Sequence, residues 1–195
     1  MWNKLNAMKR CSVFFAMLLI AGFMGIKPAT AQDALAAASW AQRLSILEQA
    51  ATYLGTPYAS PPNVPNNFDC SGFVSYIFAQ FGYTLPPTTS SYASVGTSVS
   101  WEDTIPGDLL IFSSTKGSST VNHVAILWEK GANGDLAGSW IIHSASINTG
   151  KSMLYGDPAT KTGVVITQLG LRGDGIIENE YFYQRYMHSI RVLGD

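Results

Sequence analysis

Cys70, His123 and His143 are the residues of this sequence whose types could supply a nucleophile, its base and an orienting partner. Cys70 stands in Asn67-Phe68-Asp69-Cys70-Ser71-Gly72-Phe73, where a polar stretch ends and an apolar helical pattern begins. Asp69 is a preferred N-cap residue. Cys70 then falls in the first helical turn, where unpaired backbone N–H groups and the positive end of the dipole favour thiolate over thiol. The plainer alternative is a small buried hydrophobe, which free cysteine often is. Its place at a helix start, after a polar loop, favours the nucleophile. An activated thiol there should react with iodoacetamide well below the ordinary thiol pKa of about 8.5.

A thiolate enzyme needs a base, and the base needs an orienting group. His123 opens the run HVAILW and His143 sits late in SWIIHSA. On neighbouring strands, both rings could approach the amino end of the Cys70 helix. His123 would take the thiol proton, and His143 would hold the His123 ring in the required tautomer. His188 lies in the last strand-like run with no partner and reads as structural. Cys70, His123 and His143 also have the ligand chemistry of zinc. No local ligand pair anchors such a site, and structural zinc usually takes a fourth ligand, so no metal or other cofactor is expected.

Two kinds of element must position these residues. Residues 33–54 read as a helix, with Trp40, Leu44, Leu47, Ala51 and Leu54 on one stripe. Gly55 follows, then the loop ASPPNVPNN at 59–67. A second helix should run from Asp69 or Cys70 to about Phe81. Residues 86–100 read as loop, with room for one short helix. The period then changes. The runs at 108–112, 123–128, 139–145, 163–169 and 181–193 are short and rich in β-branched and aromatic residues. Turn signals at 106–107, 116–117, 131–135 and 173–175 separate them. Helices first and strands later predict an α+β domain, with N-terminal helices packed on an antiparallel sheet of about five or six strands.

Residues 1–31 have the layout of a secretory signal peptide: Lys4, Lys9 and Arg10, an apolar run from Cys11 to about Met24, then Ala29-Thr30-Ala31. The run falls short of the roughly 20 residues that span a membrane. Arg10 before Cys11 argues against lipidation. Cleavage after Ala31 is therefore expected, leaving residues 32–195 as a single domain with no membrane anchor, in the periplasm or outside the cell. That piece keeps eight basic and thirteen acidic side chains, a net charge of −5, and Cys70 as its one cysteine. An exported chain with one thiol has no internal disulfide. The full chain is 47% hydrophobic and 13% charged, which excludes disorder. Its net charge of −1, without basic clusters, excludes a nucleic-acid partner.

The order of several short segments resembles the NlpC family of cysteine peptidases, bacterial cell-wall endopeptidases. These segments are Tyr53 to Tyr58, Phe68 to Val74, Leu85-Pro86, Pro106 to Leu109, His123 to Ile126, Ile142 to Ser144 and Tyr181 to Tyr186. The element Asp69-Cys70-Ser71-Gly72-Phe73 is the specific one; the others are weak alone and strong in this order. The resemblance runs from about Leu47 to Val192. It implies a papain-like core, Cys70 as nucleophile, His123 as base and His143 as orienting residue. It implies oxyanion or substrate contacts at Tyr58, Asp69 and Ser71. The implied substrate is the stem peptide of peptidoglycan, cut at the γ-D-glutamyl–diamino acid bond, and a monomer is expected. A thiol amidase or acyltransferase of the same fold, acting on another substrate, is the alternative. This chain departs from the family in having Pro87 where Arg often follows Leu-Pro, Ala125 where Gly is common, and enlarged segments at 130–138 and 147–159.

Overall fold

The computed structural model describes residues 30–146, 154–155, 162–170 and 180–194. The expected leader up to residue 29, most of the expected insertion at 147–159 and the turn at 173–175 lie outside these. Helix α1 spans Ala31–Ala51 and helix α2 spans Cys70–Ala79. A 3₁₀ turn covers Thr89–Ser94. The strands are β1 Thr97–Val99, β2 Leu109–Ser113, β3 Val121–Glu129, β4 Trp140–Ala145, β5 Leu154–Tyr155, β6 Gly163–Gln168 and β7 Tyr186–Arg191. One turn of helix, α3, occupies Glu180–Tyr183. The sheet order is β1-β7-β2-β3-β4-β6-β5, and every pairing is antiparallel.

The α+β expectation and the two long helices hold. Two short strands, β1 and β5, extend the sheet beyond the five runs read from the sequence. The expected last strand at 181–193 is divided: its first residues turn as α3 and only Tyr186 onward pairs with β2. The cause is Phe182, which points into the core rather than joining the ladder. The stripe of α1 is also rotated from the one expected. Arg43, Ile46, Leu47, Ala50 and Ala51 are buried, whereas Trp40 is 46% exposed. Arg43 goes inward because Asp108, at the start of β2, lies 2.9 Å from its guanidinium. Thr30 caps α1 through a capping box with Asp33. The expected cleavage after Ala31 would therefore remove that cap.

The sheet buries both faces. Toward α1 and α2 it presents Leu109, Ile111, Val124, Ile126, Ile142 and Ile190, packed on Ile46, Phe73, Val74 and Ile77. On the opposite face Leu110, Phe112, Ala125, Leu127 and Ile141 pack with Leu169 and Phe182. Alternate residues serve alternate faces. This explains why the strands read as near-continuous apolar runs.

Candidate active site

Helix α2 begins at Cys70 because Asp69 stops the preceding chain and caps it. Asp69 Oδ1 accepts from the Gly72 N–H at 2.7 Å, and Asp69 itself is extended. Gly72 is required by that cap. A Cβ there would lie 2.8 Å from Asp69 Oδ1 and 3.2 Å from Pro62 Cγ. Ser71 is buried and donates to the Pro87 carbonyl at 2.9 Å, tying the helix start to the loop before the 3₁₀ turn. Asp69 and Ser71 thus hold the nucleophile's helix in place, and neither lines the cleft. The Cys70 N–H, at the first helical position, has no carbonyl four residues back to bond.

The cleft has a volume of about 300 Å³. Its walls include Tyr58, Cys70, Asn122, His123, Phe182 and Arg185. Tyr58 reaches it from a strap held to β6. Gly55 N–H donates to the Val164 carbonyl and Val164 N–H to the Thr56 carbonyl, each at 2.9 Å. Gly163 sits beneath the strap at φ 116°, and a Cβ there would collide with the Thr56 carbonyl oxygen. Burial, then the nearby Cys70 and Asp69 charges, raise the Tyr58 pKa, so its hydroxyl keeps its proton.

The two histidines meet through strand register. Ile126 pairs with Ile142, so His143 lies opposite Ala125 and diagonally from His123, all on one face. Ala125 is small enough to let the rings touch. His123 Nε2 is 2.7 Å from His143 Nδ1. The same diagonal continues one strand further. Thr167 pairs with Ile141, and its Oγ1 is 2.8 Å from His143 Nε2. A hydroxyl accepting from His143 Nε2–H leaves Nδ1 unprotonated. That nitrogen then accepts from His123 Nε2–H, which frees the His123 Nδ1 lone pair. Phe182 covers the pair, with ring centroids 4.8 Å from His123 and 4.9 Å from His143. Thr167 and Phe182 were not read from the sequence as site residues. Only the register reveals the first, and the second was hidden in an expected strand. His188 stands on β7 opposite Ile111, away from these residues.

Burial pushes the His123 pKa down to about 3. Burial, then the His123 charge, holds His143 well below its ordinary value. Burial also raises the Cys70 thiol, and it outweighs the hydrogen bonds from Thr89, Val124 and Ser71 that favour the thiolate. The Cys70 sulfur lies 3.5 Å from Thr89 Oγ1 and 3.9 Å from the Asn122 carbonyl. The helix start favours the thiolate expected from the sequence and burial opposes it, so the net direction at Cys70 is toward the neutral thiol, as burial at His123 is toward the neutral imidazole. No group of three or more His, Cys, Asp or Glu side chains among the described residues is placed to hold a metal. The facing nitrogens of His123 and His143 are engaged with each other.

The profile of the NlpC/P60 family matches residues 55–168. A "Probable endopeptidase p60" of Listeria seeligeri is 43% identical over 81 residues, covering 42% of this chain and 15% of that protein. A "Gamma-D-glutamyl-L-lysine dipeptidyl-peptidase" of Bacillus subtilis is 33% identical over 108 residues, covering 55% of this chain and 33% of that protein. The chain therefore spans less than half the length of either relative. In structure, an NlpC/P60 family protein of Bacillus cereus superposes with a TM-score of 0.59 at 24% identity, over 78% of this chain and 40% of that one. The NlpC/p60 domain of the peptidoglycan hydrolase SagA gives 0.50 at 25% identity, over 76% of this chain and 97% of that one.

Proposed function

The chain belongs to the NlpC/P60 family, and from that premise we propose that it is an exported cysteine endopeptidase. It hydrolyses the γ-D-glutamyl–diamino acid bond of peptidoglycan stem peptides, using Cys70, His123 and His143. The observation that carries the reading is the 2.7 Å contact between His123 and His143 at the cleft that Cys70 also lines. One relative named a probable endopeptidase and another named a γ-D-glutamyl-L-lysine dipeptidyl-peptidase support the substrate class. The leader pattern of residues 1–31 supports export to where that polymer lies.

The proposed steps are those of acyl transfer through a thiol. His123 Nδ1 takes the thiol proton as the Cys70 sulfur attacks the amide carbonyl, so the neutral pair ionises only as the bond forms. The oxyanion receives the Cys70 N–H and the Tyr58 hydroxyl; losing one such donor typically costs about 3–4 kcal/mol of transition-state stabilisation. His143 shares the positive charge that His123 acquires and keeps the ring aligned. The imidazolium then protonates the leaving amine, leaving a thioester on Cys70. Water, deprotonated by His123, hydrolyses the thioester, and the thiol regains its proton.

The test is mass spectrometry of defined muropeptides incubated with the protein, beside a Cys70→Ala control. Cleavage lost in the control, at the γ-D-glutamyl bond, is expected. No cleavage of any stem peptide by a protein whose Cys70 is still alkylated would overturn the substrate and point to another acyl group.

A further inference from the structure

Among the described residues that line the cleft, Arg185 is the only charged one. We propose that it is the anchor for a free carboxylate of the substrate, and that the cleft is selective for an anionic peptide. The inference rests on the peptidase reading given above, which it deepens. Its support is the way the guanidinium is held.

The chain reverses between α3 and β7, and Arg185 N–H donates to the Phe182 carbonyl at 3.0 Å. Its own carbonyl accepts from Ser113 N–H at 2.8 Å. Arg185 is thereby fixed three residues after the ring that covers His123. Two of the side-chain nitrogens bond to backbone: Nε to the Ser114 carbonyl at 3.3 Å and Nη1 to the Tyr181 carbonyl at 2.8 Å. The guanidinium carbon lies 3.8 Å from the centre of the Tyr181 ring. These contacts restrain the fork without neutralising it. Among the described residues no carboxylate pairs with Arg185, and Nη2 has no hydrogen-bond partner.

A cation in a cleft whose described lining holds no acidic residue attracts an anion, and a planar fork suits a carboxylate geometrically. Because the side chain is stacked and tethered before substrate arrives, little rotamer freedom is lost on binding. A stem peptide carries free carboxylates beside the scissile bond, on the glutamyl residue and on the diamino acid when that residue has a side-chain carboxyl. Either could meet the fork, and amidation distinguishes them.

The experiment compares kcat/KM for muropeptides that differ only in amidation of one carboxyl, with the full protein and with Arg185→Met and Arg185→Lys. One arm amidates the glutamyl α-carboxyl and the other the diamino acid side-chain carboxyl. Loss of a charge-assisted contact predicts a fall of about 10- to 100-fold, mainly through KM, for Arg185→Met on the free acid. The native protein should lose a similar factor on one amidated substrate, which names the carboxylate. The two losses should not add, and Arg185→Lys should recover part of the first. Equal cleavage of acid and amide by the native protein, an arm that needs no variant, would overturn the anchor while leaving the peptidase intact. So would equal losses for Arg185→Met on both. Failure of the native protein to cut any stem peptide overturns the peptidase reading and the anchor with it.

Discussion

Thr167 Oγ1 lies 2.8 Å from His143 Nε2 in the interior of the sheet, where both side chains are essentially out of solvent. With Thr167 Oγ1 accepting, this contact keeps the His143 proton on Nε2 and, through it, leaves Nδ1 of His123 free. Thr167→Val keeps the shape and removes the hydroxyl. It leaves a buried N–H unpaired, at a cost of about 1–3 kcal/mol, or drives His143 into the other tautomer, which turns the His123 lone pair away from the thiol. The expected result is a fall in kcat of about 10-fold or more, with KM little changed and Thr167→Ser near native. Steady-state kinetics on a cleaved muropeptide check this. A valine variant with native kcat would remove Thr167 from the relay.

His143 itself should matter more. With His143→Ala, His123 loses both its orienting acceptor and the neighbour that shares its charge. Removal of the corresponding member of a triad costs on the order of 10²- to 10⁴-fold in kcat. The alanine variant should stay folded at low temperature and retain an alkylatable Cys70, which separates a catalytic loss from collapse of the site. Native turnover by this variant would sink the relay altogether.

The resting charge state gives a pH prediction. The Cys70 pKa is raised, so its thiolate appears only as pH climbs past the ordinary thiol range of about 8.5. The His123 pKa is lowered, so the imidazole is neutral from mildly acidic pH upward. A preformed thiolate–imidazolium pair would give an alkylation rate that is already on a plateau near pH 6. The neutral pair gives a rate that keeps rising through pH 9. Iodoacetamide labelling of the unliganded protein, read by intact mass, tells them apart, and a plateau near pH 6 is the result that would overturn the neutral pair.

What could be read from the sequence and what could not follows from the range of the interactions. The cap at Asp69, the Cys70 helix start and the strand runs depend on near neighbours, so spacing exposes them. The Thr167 contact depends on a diagonal across β4 and β6, and a one-residue slip of either strand would put the two side chains on opposite faces. The burial of Arg43 depends on Asp108, 65 positions away, so a stripe counted along α1 alone chose Trp40 instead. The balance of effects at the thiol is hidden for the same reason. A helix start is local and visible, whereas desolvation by the facing sheet is neither.

The turn at Asp69 tests how tightly the nucleophile is positioned. Gly72→Ala would place a methyl group 2.8 Å from the Asp69 carboxylate oxygen and 3.2 Å from Pro62. Backbone φ at Gly72 does not demand glycine, so the effect is steric. Either the cap opens or the helix start shifts by some tenths of an ångström. Loss of a cap costs about 0.5–2 kcal/mol, and a misplaced sulfur lowers kcat by up to about 100-fold. Thermal melting and kcat together should show a modest loss of stability beside a larger loss of activity. Native kcat in a protein that melts normally would show that the helix start tolerates the methyl.

Asp108 is expected to behave in the opposite way, costing stability and sparing chemistry. Its carboxylate is fully buried and meets Arg43 Nη1 at 2.9 Å and Arg191 at 2.9 and 3.1 Å, and it also accepts from Ile105 N–H at 3.0 Å. Asp108→Ala would leave Arg43, itself 1% exposed and already with Nη2 unpartnered, as an uncompensated buried charge. Breaking a buried pair from one side costs about 3–5 kcal/mol. For a domain of this size that is a fall in Tm of about 10 °C or more. Asp108 is four residues along the chain from Phe112 at the cleft, roughly 13 Å at the rise of an extended strand. The protein that remains folded well below its new Tm should therefore keep a native kcat. Melting by circular dichroism, paired with turnover at low temperature, separates the two effects. A variant with native Tm would show that the ion-paired cluster contributes nothing net. A low kcat in the folded fraction would show that the start of β2 sets the geometry of the cleft at its far end.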